Sequence, residues 1–187
     1  MDEFWKYVGG SVHFPVHAGG SRSAPRFPTA PTRHIDAEEP ESFGSLATMG
    51  AASAVVLRAV VVAIGPGPEA GGGRFLLRSV TLRPVELVKG EVATALVRFA
   101  EAGYTRDGTG FTLNGVGWSR VGDEGWYFLA RSGDGWMRLA SSDGRFLVAG
   151  ASTGPSGRQS AEDGPWRGLD AGEVDAVAEA VRGSVTT

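Results

Sequence analysis

The three histidines are the first residues to examine for chemistry, since imidazole binds metals and transfers protons near neutral pH. His13 and His17 have the i, i+4 spacing of a helical metal pair, but Pro15 lies between them and the chain has no cysteine to complete a ligand shell. His34 and Asp36 have the composition of an acid–base pair, yet they lie in a proline-rich stretch outside any predicted cleft. We therefore predict no metal site, no cofactor and no catalytic residue.

Two further kinds of catalytic motif are missing from the sequence. The glycine-rich runs 65–68 and 71–73 lack the Lys-Ser/Thr pair of a phosphate-binding loop, and they follow a predicted strand without opening a helix. No serine lies in a Gly-x-Ser-x-Gly elbow. The chain is therefore interpreted as a protein that is not an enzyme, and a hydrolase with an unrecognised site is kept as an alternative.

Arginine and tryptophan supply the candidate binding surface. Its five residues are Arg78, Arg83, Trp118, Trp126 and Trp136. On an OB-like face, guanidinium groups contact phosphates and indole rings stack on bases. However, residues 44–150 contain 11 basic and 9 acidic residues, a charge of only +2, whereas strand binders depend on neutralising phosphates. The alternative interpretation is that the arginines form a solvated face and the tryptophans fill or line the core.

Short apolar runs bounded by glycine and proline predict a mainly β protein. The first strand is predicted at 55–64, with a stop at Gly65-Pro66-Gly67-Pro68, a flexible tip at 71–73 and a second strand over 74–88. Further strands are predicted at 91–99, 126–130, 136–139 and 145–148, with a minor one at 111–113. The turn Ser132-Gly133-Asp134-Gly135 makes 126–139 the clearest hairpin.

The ends of the chain differ from its middle. Residues 1–41 contain five prolines and are predicted to form an extended, partly disordered arm. Residues 42–150 are predicted to form the β-barrel domain, which begins with a short helix capped by Ser45. Residues 151–168 are a linker loop, and 169–183 form a C-terminal amphipathic helix opened by a capping box at Asp170 and Glu173.

Composition is that of an ordinary globular protein, with 42% hydrophobic residues and a net charge of −3. Only Lys6 and Lys89 are lysines among 18 basic residues, a bias that we attribute to high-GC coding. The acidic N-terminus and the lack of an apolar segment after it predict a cytoplasmic location for the chain as written, and export if the true start lies upstream. The apolar run at 54–64 is too short to span a membrane.

Several of these runs carry a resemblance. They are residues 46–62, the glycine-rich 65–73, the strand that ends in Val88-Lys89-Gly90, and Val121 to Leu129. Together they resemble a group of uncharacterised bacterial proteins with an OB-fold-like barrel of the netrin and tissue-inhibitor-of-metalloproteinase type. The resemblance covers residues 45–150 and implies a small OB-like antiparallel β-barrel. It brings no catalytic residues with it, and members of the group are commonly exported.

Protein or peptide interaction is therefore the first functional hypothesis, by elimination and by analogy with the fold. The aromatic residues at positions 4–14 favour it, because exposed Phe, Trp and Tyr are common interface anchors. Single-stranded nucleic-acid binding through the arginine and tryptophan surface is the alternative.

Overall fold

The computed structural model describes residues 30–37, 43–149, 154–155, 164–170 and 173–185. Most of the predicted arm, with His13 and His17, lies outside the described residues, as does most of the predicted linker. In chain order the elements are β1 (Arg33–Ile35), α1 (Leu46–Ala52), β2 (Val55–Ala70), β3 (Phe75–Lys89), β4 (Val97–Thr105), β5 (Phe111–Leu113), β6 (Glu124–Arg131), β7 (Met137–Leu139), β8 (Arg145–Ala149), β9 (Gly154–Pro155) and α2 (Val174–Val185). The expectation of a mainly β protein with two helices is confirmed. No helix among these elements is long and apolar enough to cross a membrane.

The hairpin of β2 and β3 is longer than predicted. Strand β2 does not stop at Gly65 but continues to Ala70, and the tip follows at 71–73, where all three glycines have positive φ. Beyond residue 60, β2 pairs with β3 alone, so the prolines lie on an edge where a missing N–H is tolerated. The register also shifts between Pro66 and Glu69. The strand therefore continues past Pro66 and Pro68, which are predicted to end it, because a β-bulge accommodates them.

Five strands close a ring of hydrogen bonds. Strand β3 pairs with β2 and β4, β6 pairs with β7 and β2, and the single pair of Phe99 with Met137 joins β4 to β7. The β4–β7 pairing is parallel, so the sheet is mixed and not wholly antiparallel as expected. Strand β4 begins at Val97, six residues later than predicted, and extends to Thr105. Strands β8 and β9 extend the sheet from β6.

The apolar side chains of β2 and β6 point to two different cores. Leu57 and Tyr127 lie inside the ring, whereas their neighbours Val56 and Trp126 face outwards. Period-2 alternation therefore explains why both strands are almost continuously apolar, since both of their faces are buried. The outward cluster is covered by helices α1 and α2 and by Trp166. We call this surface the helix-covered face.

Both helices begin close to where the sequence predicts. Ser45 caps α1 as expected, because its Oγ accepts a hydrogen bond from Thr48 N at 3.2 Å. Helix α2 begins at Val174, so both residues of the predicted capping box, Asp170 and Glu173, precede the helix. Its Arg182 binds Glu86 of β3 through two hydrogen bonds of 2.7 and 3.0 Å. This exposed ion pair joins the C-terminal helix to the hairpin.

The Val-Lys-Gly sequence at the end of β3 has a structural role. Lys89 Nζ donates to the carbonyls of Gly50 and Ala51, at 2.7 and 3.0 Å, and so satisfies the C-terminal end of α1. Gly90 has a φ of 85°, and a Cβ there would lie 2.2 Å from Ala54 O. The motif thus fixes α1 against the hairpin.

Candidate functional site

An extended segment of chain lies along the edge of β5. Strand β1 pairs with β5 in parallel, with Arg33 opposite Phe111 and Ile35 opposite Leu113. The backbone N–H groups of Thr32 and Arg33 both donate to Gly110 O, at 3.0 and 3.1 Å. We call residues 32–37 the docked segment and residues 110–114 the docking edge. Together they form a two-stranded sheet separate from the ring.

Side chains add to this backbone pairing. Ile35 packs against a small apolar cluster formed by Ala70, Phe75 and Phe111. His34 Nδ1 lies 3.0 Å from Thr112 Oγ1, and its Nε2 lies 2.7 Å from Asp36 Oδ1. His34 and Asp36, for which no catalytic role is predicted, are therefore hydrogen-bonded. The imidazole side chain is 39% exposed, and its Nδ1 contacts Thr112 on the opposite strand. The arrangement serves to hold the segment on the edge.

Asn114 closes the far end of the docking edge. Its backbone N–H donates to Ile35 O at 3.0 Å, and its side-chain Oδ1 accepts from Ala37 N at 2.8 Å. Among the described residues it is the one residue other than glycine with positive φ, at 50°. Asn tolerates this conformation better than most residues, but it still costs free energy and usually marks a position with a purpose. In this conformation the backbone N–H and the side-chain Oδ1 of Asn114 both point at the docked segment.

Trp118 supports the docking edge from behind. Its Nε1 donates to Phe111 O at 2.8 Å, and its ring packs edge-on against Tyr104 with centroids 5.2 Å apart. The ring also lies so close to Gly110 that a Cβ there would approach Trp118 Cη2 at 2.7 Å. Gly110 is therefore required for the tryptophan to lie flush with β5.

Trp118 in turn rests on a buried charged group. The guanidinium of Arg78 lies over the indole, 4.4 Å from the ring centroid, and its Nη1 donates to Glu101 Oε1 at 2.6 Å. Arg145 Nη1 lies 3.8 Å from Glu101 Oε2. Arg78, Glu101 and Arg145 continue the inward-facing series of their strands, because each is two residues from a side chain of the ring core. We call these three residues with Ser119 the buried ion network.

Ser119 is the point at which the buried ion network holds the loop between β5 and β6. Its Oγ donates to Glu101 Oε2 at 2.8 Å and accepts from Arg145 Nη1 at 2.7 Å. Its carbonyl accepts from Arg78 Nη2 at 3.1 Å, and Arg145 Nη2 donates to Gly117 O at 2.7 Å. Two cations and one carboxylate therefore fix the loop that carries Trp118.

Burial dominates the protonation chemistry of this region. It raises the pKa of the Glu101 carboxyl, and the charges of Arg145 and Arg78 and the hydrogen bonds from Ser119 oppose that shift. Burial likewise raises the pKa of the Tyr127 hydroxyl. Within the described residues, the Tyr127 hydroxyl and Arg145 Nε have no hydrogen-bond partner. Glu101, Tyr127 and Arg145 are all buried.

The five residues of the predicted binding surface are not brought together. Arg78 and Trp118 meet behind the docking edge, whereas Trp126 is fully buried in the helix-covered face. Arg83 is exposed on β3, and Trp136 is half-buried at the turn before β7. The sequence predicts β5 as a minor strand at 111–113, but it does not predict the pairing of this strand with residues 33–35. A further local signal at this edge is Asn114-Gly115, a pair that favours positive φ at a turn.

Within the described ranges, no group of three His, Asp or Glu side chains is placed to hold a metal ion. No protein-family model matches the chain, and a search of curated proteins found no match.

Proposed function

We propose that the protein is a non-catalytic binding module that recognises another protein or peptide by adding an extended segment to the docking edge. The observation that carries this proposal is the docked segment. It shows that the edge holds a strand-like stretch of chain through backbone hydrogen bonds at both ends. Such strand addition is a recurring mode of peptide recognition.

The contacts indicate what the edge selects. Any extended peptide can form the backbone hydrogen bonds to Gly110 and Asn114, so these bonds contribute affinity without specificity. Selectivity comes from the apolar cluster around Ile35 and from the Thr112 hydroxyl, which contacts an imidazole. We therefore expect a ligand with an aliphatic residue at the Ile35 position, preceded by a hydrogen-bonding side chain.

The buried ion network makes the edge rigid before a ligand binds. Trp118 is held on one side by Phe111 O and on the other by Arg78, whose second partner Glu101 is buried. A preorganised edge loses less conformational entropy on binding, which raises affinity without adding contacts.

The ring order supports the OB-like interpretation of the fold, which is part of this proposal. Strands β2, β3, β4, β7 and β6 form a closed five-stranded circuit, and OB folds are five-stranded, partly open barrels. Nucleic-acid binding has less support. Arg78 is neutralised by Glu101 inside the protein, and Trp126 has no exposed face for a base.

A synthetic peptide of residues 30–37 tests the proposal. Its receptor is the full chain with Ile35→Asp, because a carboxylate in the apolar cluster should undock the chain's own segment. We expect saturable binding with a Kd of about 0.1–1 mM, since one aliphatic anchor and a few backbone hydrogen bonds give modest affinity. Chemical shift perturbation by NMR measures the affinity and should locate the peptide at Thr112 and Asn114.

The matched control is the same peptide with Ile35→Asp, which should not bind. Equal binding of both peptides, or shifts away from the docking edge, would contradict the proposal. A single-stranded oligonucleotide titrated at low salt serves as the competing ligand. Salt-sensitive binding of the oligonucleotide, with none of the peptide, would favour the alternative function.

A further inference from the structure

We infer that the docking edge accepts the docked segment of a second copy of this chain, so that the protein forms a strand-exchanged dimer. This inference rests on the proposed function and names its partner. Each copy carries both halves of the interaction, a segment at 32–37 and an edge at 110–114. Exchange of identical elements between protomers keeps every native contact and is a common route to dimers.

The connection between the segment and the core favours exchange. Ala37 is fixed by Asn114, and Phe43 is buried in the helix-covered face. The five residues between them are Glu38, Glu39, Pro40, Glu41 and Ser42. The three glutamates repel one another and the proline stiffens the chain, so the composition of this short connection favours exchange between chains.

The docking edge is more stable with a segment bound than without one. Asn114 is 9% exposed, and both its backbone N–H and its side-chain Oδ1 are paired with the docked segment. Removing the segment breaks these two hydrogen bonds and uncovers the apolar cluster of Ala70, Phe75 and Phe111 against which Ile35 packs. An edge that loses its own segment therefore favours the segment of a neighbour.

The register of β1 and β5 supplies a direct test, because His34 lies opposite Thr112 and the natural chain has no cysteine. One full-length chain carries His34→Cys and a second carries Thr112→Cys. A disulfide between residues 34 and 112 then joins two chains only if the segment of one docks on the edge of the other. The control mixture replaces the second chain with one that carries Thr94→Cys, an exposed position away from the edge.

After oxidation of the mixed chains, we expect the 34–112 linkage to exceed the 34–94 linkage several-fold by mass spectrometry. Adding Ile35→Asp to the first chain should remove the excess. A single chain with both His34→Cys and Thr112→Cys reports docking within one molecule. If that chain closes its own disulfide while the mixture gives no excess, the exchange is refuted. Because the peptide titration is read independently, that result leaves the proposed function intact.

Discussion

The helix-covered face and the docking edge lie on the same framework but are held by different interactions. The helix-covered face buries large apolar groups, including Trp126, Phe128 and Trp166, beneath two helices. The docking edge has only a small apolar cluster, and its position depends on directional contacts from Trp118 and the buried ion network. The helix-covered face is stabilised by the burial of apolar surface, and the docking edge is stabilised by directional hydrogen bonds and ion pairs.

This difference matters for function. Local opening requires less free energy where few apolar contacts are lost, so the docked segment should leave the docking edge without unfolding of the ring. A site that exchanges one strand for another needs this property. The helix-covered face should open only with the whole domain, because its side chains are shared by β2, β6, β8 and α2.

The largest effect is expected from Trp166→Ala. The indole packs against Phe128 and Phe146, with centroids 5.6 and 4.7 Å away, and its Nε1 donates to Asp143 O. Removing a fully buried tryptophan should lower the free energy of unfolding by about 3–5 kcal/mol. Urea denaturation measures this change, and NMR shifts of the docking edge should stay unchanged below the transition.

The matched control is Trp136→Ala, which removes a half-buried tryptophan from a turn and should cost about 1 kcal/mol or less. Equal losses for the two variants would show that the helix-covered face is not the main source of stability.

A smaller but more local effect is expected from Glu101→Gln. The amide keeps an acceptor near Arg78 but leaves Arg78 and Arg145 without a buried counter-charge. Breaking a buried pair in this way should cost about 3 kcal/mol. It should also free Trp118 and increase hydrogen exchange at the Ile35 and Ala37 amides, unlike Trp166→Ala.

Glu124→Gln is the control for charge removal. The pair of Arg58 and Glu124 is equally short, 2.6 Å, but its side chains are about a quarter exposed. It should cost roughly 1 kcal/mol or less, with no change at the docked segment. An unaltered exchange rate at Ile35 in the Glu101 variant would separate the network from the edge.

The sequence predicts the strands of the helix-covered face but not all of its buried side chains, because it assigns Trp126 to a binding surface and Trp166 to a linker loop, and both are buried. Strand β6 was located because its residues are bulky and apolar on both faces, and the tip at 71–73 was located because glycine accepts positive φ. Both signals are local. Ser45 likewise caps α1 through a residue only three positions away.

The pairing of the docked segment with the docking edge escapes prediction because its contacts are distant in sequence. The hydrogen bond from Ala37 to Asn114 spans 77 residues, and the three residues of β1 show too little periodicity to predict a strand. Arg78 points inwards, whereas charged residues in a strand usually occupy the positions that face solvent. That rule fails when a charge finds a buried partner, and Glu101 gives no local sign that it is one.

The smallest effect concerns acid and the turn that precedes the docking edge. Asp107 lies in the turn between β4 and β5, and its carboxylate accepts hydrogen bonds from the Thr105 hydroxyl and from Thr109 N. These bonds hold the pKa of Asp107 below its ordinary value of 3.8. A carboxyl group whose pKa is lowered by folding contributes stability at pH values above its ordinary pKa, and this contribution is lost as the pH falls through the pKa of the folded state.

Asp107→Asn keeps an acceptor but cannot titrate. The free energy of unfolding of this variant should therefore fall less steeply than that of the wild type below about pH 4, as measured by urea denaturation at stepped pH. Thr105→Val removes the main cause of the shift and should flatten the same slope with the carboxylate still present. If both variants keep the wild-type slope, the Asp107 carboxylate does not contribute to the acid sensitivity of the protein.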